Sequence, residues 1–181
     1  MKAEIIGLIV AAVLLYFPYV WCRIRHEDEK EWGLKWYMGR GAWRDVLFAL
    51  ALTLIPLTFV SMYWPAAWGQ GGPHAPSAAQ IFDRIGGGVA AAFIEETFFR
   101  GWLQTLLTRR VGSRLGILLA TLCFALSHLI VLTGWLRVAT FFPGLIMAIL
   151  RHRNGSVLPG IIYHAVCNVW AVWWAPIPPL S

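Results

Sequence analysis

The chain has 181 residues, of which 59% are apolar and 13% charged, with a net charge of +6 and a mean hydropathy of +0.63. A soluble domain carries roughly 45–50% apolar and about 25% charged residues, and it lacks the polar surface to cover such an excess. These figures exclude a disordered chain, a fibrous repeat and most soluble enzymes, and they indicate one integral membrane domain over residues 1–181.

A helix needs about 20 apolar residues to cross roughly 30 Å of hydrocarbon. The first candidate runs from Ile5 to Cys22. Glu4 precedes it where a signal peptide would be basic, and no small-residue cleavage site follows, so it reads as a retained anchor. Residues 23–45 are polar, mix both signs of charge with Trp32, Trp36 and Trp43, and read as a cytoplasmic loop. The second span is Val46 to Trp68, with Pro56 inside it, and the Gly- and Pro-rich stretch Gly69 to Ser77 is a loop. The third span is Ile85 to Leu107, followed by Arg109, Arg110 and Arg114. Leu115 to Thr133 is the fourth. Trp135 to Leu150, interrupted by Pro143 and Gly144, is the fifth, and Val157 to Ala175 is the sixth, before a Pro-rich tail. The expected fold class is all-α: a polytopic membrane bundle of about six transmembrane helices enclosing a polar intramembrane cavity.

Six spans send alternate loops to opposite sides. Eleven of the fifteen basic residues fall on one side: Arg23, Arg25, Lys30, Lys35, Arg40, Arg44, Arg109, Arg110, Arg114, Arg151 and Arg153. Lys2, Arg84 and Arg137 fall on the other, and Arg100 lies within a span. The basic side is therefore expected to be cytoplasmic, with both termini outward. Trp64, Trp68, Trp135, Trp173 and Trp174 would then form an outer aromatic belt. Cys22, Cys123 and Cys167 have no CxxC spacing and read as small apolar residues. No phosphate-binding glycine loop is present, and the basic residues sit at membrane edges, so no nucleic-acid partner is expected.

Ionisable residues within a span are costly and mark function by default. The third span holds Glu95, Glu96 and Arg100. Residues four apart on a helix share a face, so Glu96 pairs with Arg100, while Glu95 points elsewhere and is suited to act as a base. The run Gly86 to Ala92, with Gly88 and Ala92 four apart, allows close helix packing. The fourth span ends with Phe124 and His128, and the sixth carries His164 and Asn168 on one face. His74 and His152 read as solvated loop residues. One polar cavity serving three spans is the economical explanation. A carboxylate and an imidazole can deprotonate a water, and a second imidazole with an amide can donate to an oxyanion. The same Glu95, His128 and His164 could instead hold catalytic Zn²⁺, although no HExxH is present. A proton relay in a transporter is the third possibility.

These residues resemble the motifs of the CPBP family of CAAX-processing and bacteriocin-processing intramembrane proteases. Its EExxxR pattern is matched by Glu95, Glu96 and Arg100, its FxxxH by Phe124 and His128, and its HxxxN by His164 and Asn168. The resemblance covers a motif-bearing core at about residues 85–170. It implies a glutamic-type intramembrane endopeptidase that cuts near the end of a membrane-associated or exported protein or peptide. Glu95 and His128 would activate water, His164 and Asn168 would form the oxyanion site, and Glu96, Arg100 and Phe124 would support them. No cofactor is expected under this reading, with zinc as its rival and a non-catalytic scaffold or immunity factor as the alternative function. The small size resembles a bacterial member, which implies a multi-pass protein of the inner membrane whose partners are a membrane-tethered peptide substrate and the lipid bilayer.

Overall fold

The computed structural model describes residues 2–64, 75–131 and 135–174. Every regular element among them is helical. The helices are α1 (Lys2–Arg25), α2 (Ala42–Tyr63), α3 (Ala78–Glu96), α4 (Gln104–Val111), α5 (Ser113–Val131), α6 (Phe141–Asn154) and α7 (Leu158–Trp174). A π-helical segment, Thr97–Leu103, joins α3 to α4, and a 3₁₀ turn, Trp135–Thr140, leads into α6.

Each helix has a local cause. The apolar runs of α1 and α2 supply long stretches of helix formers, and Pro18 and Pro56 do not end them. A capping box starts α3: the Ser77 hydroxyl accepts from Gln80 N, and the Gln80 side chain accepts from Ser77 N at 2.9 Å. Gly155, with φ +67°, ends α6 in the left-handed region that a side chain resists.

Two helices are long and apolar enough to cross a membrane, Ile5–Arg25 and Ala42–Tyr63, and Ser113–Leu129 is apolar but shorter. The apolar windows of the two long helices are only 11% and 17% buried. The central helix of a soluble protein would be covered. Leu8, Phe48 and Ile55 instead point their side chains away from the protein.

The boundaries differ from the sequence reading in three places. The linker between α1 and α2 is 26–41 rather than 23–45, because both helices continue through their flanking charges. Arg23 and Arg25 sit in the last turn of α1, where the helix dipole favours cations. The expected single third span is a rod in three parts, α3, the π segment and α4. The fifth begins as the 3₁₀ turn, and Pro143 falls in the first turn of α6, where its missing N–H costs nothing. Trp68, residues 69–74 with His74, Thr133, Ala175 and the Pro-rich tail lie outside the described residues, as do the side chains of Lys2, Trp135 and Arg137. His152 is exposed, as expected. The three cysteines are free thiols.

α7 packs along α3, α2 and α6, α5 lies against α4 and α6, and α1 rests on the π segment and α3. The main core joins Val46, Ala49, Phe99, Phe124, Met147, Leu150 and Tyr163. The linker is fastened across one end of this bundle. Lys35 O accepts from Val157 N at 3.0 Å and from the buried Ser156 hydroxyl at 2.6 Å, and Tyr37 N donates to that hydroxyl at 3.1 Å. Trp36 stacks on Phe93 at 4.6 Å. Arg109 lies over Trp32 at 4.5 Å and donates to Glu31 O at 2.8 Å, while the Trp32 indole donates to Glu27. The Arg25 side chain, hydrogen-bonded to Glu27, holds its carboxyl below the usual range.

Candidate active site

The site lies where α3, the π segment, α5, α6 and α7 converge. Glu95 and Glu96 are the last residues of α3, and Arg100 is within the π segment. There the ladder shifts to i→i−5, with Gln104 N bonding Phe99 O. Two threonines brace its flanks: Thr97 donates to Phe93 O at 2.7 Å, and Thr105 to Gly101 O at 2.6 Å. π segments occur often at functional sites.

Glu96 and Arg100 are both fully buried. Arg100 Nε is 3.4 Å from Glu96 Oε2, the pairing expected from their spacing. Arg100 Nη2 donates to Gly144 O at 3.1 Å, and its guanidinium lies over the Phe124 ring at 4.0 Å. A counter-ion, a carbonyl and a π face offset the buried charge, while Arg100 Nε and Nη1 make no hydrogen bond.

Glu95 points to the other side, as its position one residue before Glu96 requires. Its Oε2 is 4.0 Å from His128 Nε2 and 4.0 Å from His164 Nε2. The Glu95 and His128 side chains keep 25% and 19% exposure, against none for Glu96, while Glu95 Oε2 itself is enclosed and has no hydrogen-bond partner. Phe124 packs beside both imidazoles, with ring centroids 4.6 Å from His128 and 6.0 Å from His164.

Hydrogen-bond partners fix the tautomers. His128 Nδ1 is 2.9 Å from Phe124 O. A carbonyl can only accept, so Nδ1 carries the proton, and in the neutral ring Nε2 presents a lone pair to Glu95. His164 Nδ1 is 3.3 Å from Glu96 Oε1, so it likewise donates to the carboxylate of the ion pair. Glu96 thus bridges Arg100 and His164.

Glu95, His128 and His164 would be the ligands of a zinc site. Ligands around tetrahedral Zn²⁺ stand about 3.4 Å apart, and the two contacts to Glu95 are wider than that. Among the described residues no group of three or more His, Cys, Asp or Glu is arranged to hold a metal ion.

The structure thus brings together Glu95, Glu96, Arg100, Phe124, His128 and His164. Asn168 stands apart. It shares the His164 face of α7, but Nδ2 donates to Gly88 O at 2.9 Å, about two turns before Glu95 on α3. The small residues expected to permit close packing do so there: Ala92 is fully buried, and a Cβ at Gly88 would lie 3.0 Å from Asn168 Cβ. Sequence reasoning missed the contact of Glu96 with His164 and the use of Gly144 as a partner for Arg100. The available signal for the latter was a glycine directly after Pro143 inside an expected span.

A family model described as Type II CAAX prenyl endopeptidase Rce1-like matches residues 77–170, more than half of the chain. All of the residues assembled at the site fall in that range. No curated protein and no solved structure matches the chain.

Proposed function

Because the chain belongs to the Type II CAAX prenyl endopeptidase Rce1-like family, a membrane-embedded protease family, we propose that it is a metal-free intramembrane endopeptidase that uses Glu95 and His128 to activate water. The observation that carries this is the pair of acceptors 4.0 Å apart, the Glu95 carboxylate and an Nε2 lone pair held by the bond from His128 Nδ1 to Phe124 O. Two acceptors at that spacing suit one water donating to both at ordinary hydrogen-bond lengths.

The water oxygen attacks the scissile carbonyl carbon as its proton passes to this pair. The carbonyl π electrons move to oxygen, which becomes an oxyanion. The oxyanion donors in this reading are His164, whose Nε2 faces Glu95, and Asn168, one turn further along α7, which keeps a second amide N–H beyond its bond to Gly88 O. When the intermediate collapses, the C–N bond breaks and the pair returns its proton to the leaving nitrogen. A carboxylic acid and an amine result. Glu96 and Arg100 orient His164 and touch no reacting atom.

The substrate in this reading is a peptide or protein with a membrane-associated terminus. The chain spans the membrane six times, by α1, α2, the α3–π–α4 rod, α5, the 3₁₀–α6 rod and α7. The basic loops, including 26–41, face the cytoplasm, and both termini face outward, in a bacterial inner membrane. Support for this arrangement comes from the loop charges and the uncovered apolar faces of α1 and α2.

The test compares protein termini in membrane and exported fractions from strains expressing wild type or Glu95→Gln at matched levels. Proteins that keep an uncut end only with Glu95→Gln establish proteolysis and identify the substrates. Identical termini, together with a wild-type phenotype in the mutant, would turn the reading to a scaffold or immunity factor. Cleavage that survives dialysis against a zinc chelator supports the metal-free mechanism, and loss restored by Zn²⁺ overturns it.

A further inference from the structure

Each charge of the buried ion pair lies against a glycine of a neighbouring helix. A Cβ built on Gly160 of α7 would lie 2.9 Å from Glu96 Oε2. A Cβ on Gly144 of α6 would lie 3.2 Å from Arg100 Nη2 and 2.9 Å from the Phe124 ring. At Gly86 and Gly87 of α3, a Cβ would meet nothing within 4 Å. Close approaches also occur at Gly33, Gly101 and Gly116, but those at Gly144 and Gly160 are the ones that meet the ion pair.

We infer that Gly160 and Gly144 are positioning residues, whose bare Cα faces set where the Glu96 carboxylate and the Arg100 guanidinium lie and, through Glu96, how His164 is held. This rests on the reading of Glu95 and His164 as catalytic. At Gly160 the nearest backbone atom is Met147 O at 3.7 Å, an ordinary contact. The helix can therefore accept a methyl group, and the carboxylate must yield. Glu96 cannot yield freely, because Oε2 is paired with Arg100 Nε at 3.4 Å and Oε1 accepts from His164 Nδ1 at 3.3 Å. A methyl at 160 therefore pushes the carboxylate by about 0.5 Å, to an ordinary contact distance, and lengthens its contact with one partner. The group that orients the His164 ring is then displaced. Displacing a catalytic group by about 1 Å can lower a rate about 10²-fold.

The test uses the full chain in lipid nanodiscs, with Gly160→Ala, Gly87→Ala as the control, and wild type. One readout is cleavage of an internally quenched, farnesylated peptide ending in a CAAX sequence. The other is the ring ¹⁵N shift of His164, assigned by its absence in His164→Asn, which needs no substrate. Gly160→Ala is expected to lower kcat about 10- to 100-fold with KM within about twofold, and to move the His164 Nδ1 shift. Gly87→Ala should do neither. A wild-type kcat in Gly160→Ala, or a reduced kcat with an unmoved His164 shift, overturns the inference. If Gly160→Ala does not accumulate, it is combined with Glu96→Asp, whose shorter side chain withdraws from the new methyl. Restored accumulation supports the inference, and failure to restore it, with Glu96→Asp alone accumulating, overturns it. If wild type leaves the peptide uncut, the proposed function fails for that substrate, and the His164 shift still decides the role of Gly160.

Discussion

Replacing Arg100 with alanine tests whether the buried pair is structural. The guanidinium is fully buried, pairs with Glu96 at 3.4 Å, donates to Gly144 O and lies over Phe124. Its removal leaves the enclosed Glu96 carboxyl without its counter-ion, with His164 as the remaining hydrogen-bond partner. Breaking one half of a buried pair costs about 3–5 kcal/mol. The lost carbonyl bond belongs to the same unit and is not added separately. At 1.4 kcal/mol per tenfold, the unfolding constant should rise about 10²- to 10³·⁵-fold, a large share of a typical stability of about 5–15 kcal/mol. The assay is reversible unfolding by dodecyl sulfate in mixed micelles, followed by far-ultraviolet circular dichroism. Removing both charges, as Glu96→Leu with Arg100→Met, should cost less than Arg100→Ala, because no unpaired ion remains. An Arg100→Ala protein within about 0.5 kcal/mol of wild type yet inactive would refute the structural assignment and make Arg100 part of the chemistry.

Asn168→Ala should lower kcat about 10²-fold through loss of one oxyanion donor, measured with the quenched peptide. An unchanged rate would leave Asn168 only its bond to Gly88. Ser156→Ala removes the hydroxyl shared by Lys35 O, Tyr37 N and Leu158 N. It should destabilise the protein by about 1–3 kcal/mol and speed amide exchange across 26–41, and wild-type exchange there would show that the linker is held elsewhere. Glu27 has a folded-state pKa below its unfolded value, first through its hydrogen bond from Arg25. Its contribution is therefore complete above about pH 4.3, the unfolded carboxyl value, and is lost as pH falls through the lower folded value. Exchange in 26–41 should rise on acidification, and Glu27→Gln should remove that dependence. A pH response unchanged in Glu27→Gln would assign it to another carboxylate.

Much of the site was legible because helical spacing is rigid. A step of four positions from Glu96 to Arg100 put them on one face, and a step of one from Glu95 to Glu96 turned them apart. The chain order of Phe124, His128, His164 and Asn168 supplied the partners. Spacing within one helix says nothing about which face of another helix it meets. The bridge from Glu96 to His164 and the donation from Arg100 to Gly144 were therefore out of reach. Asn168 illustrates the same limit: sharing a face with His164 did not give it the same neighbour, because the two residues meet α3 at different heights. The π segment was hidden for another reason. Its residues, Thr97–Leu103, are as compatible with an ordinary helix, so nothing in their order marks the wider turn. The docking of 26–41 was equally hidden, since its backbone partners carry no mark in the sequence.

The π segment bears on which changes of length the chain can accept. A π turn holds one residue more than the α turn it replaces. Deleting one residue within Thr97–Leu103 would let the rod relax to regular helix with its two ends kept in register. Deleting one just beyond it, in α4, would swing everything downstream by about 100°. Arg109 would leave Trp32 and Glu31 O. The segment where length looks most critical, beside the two glutamates, is therefore the one place in this rod where a residue can be lost without turning the rest of it.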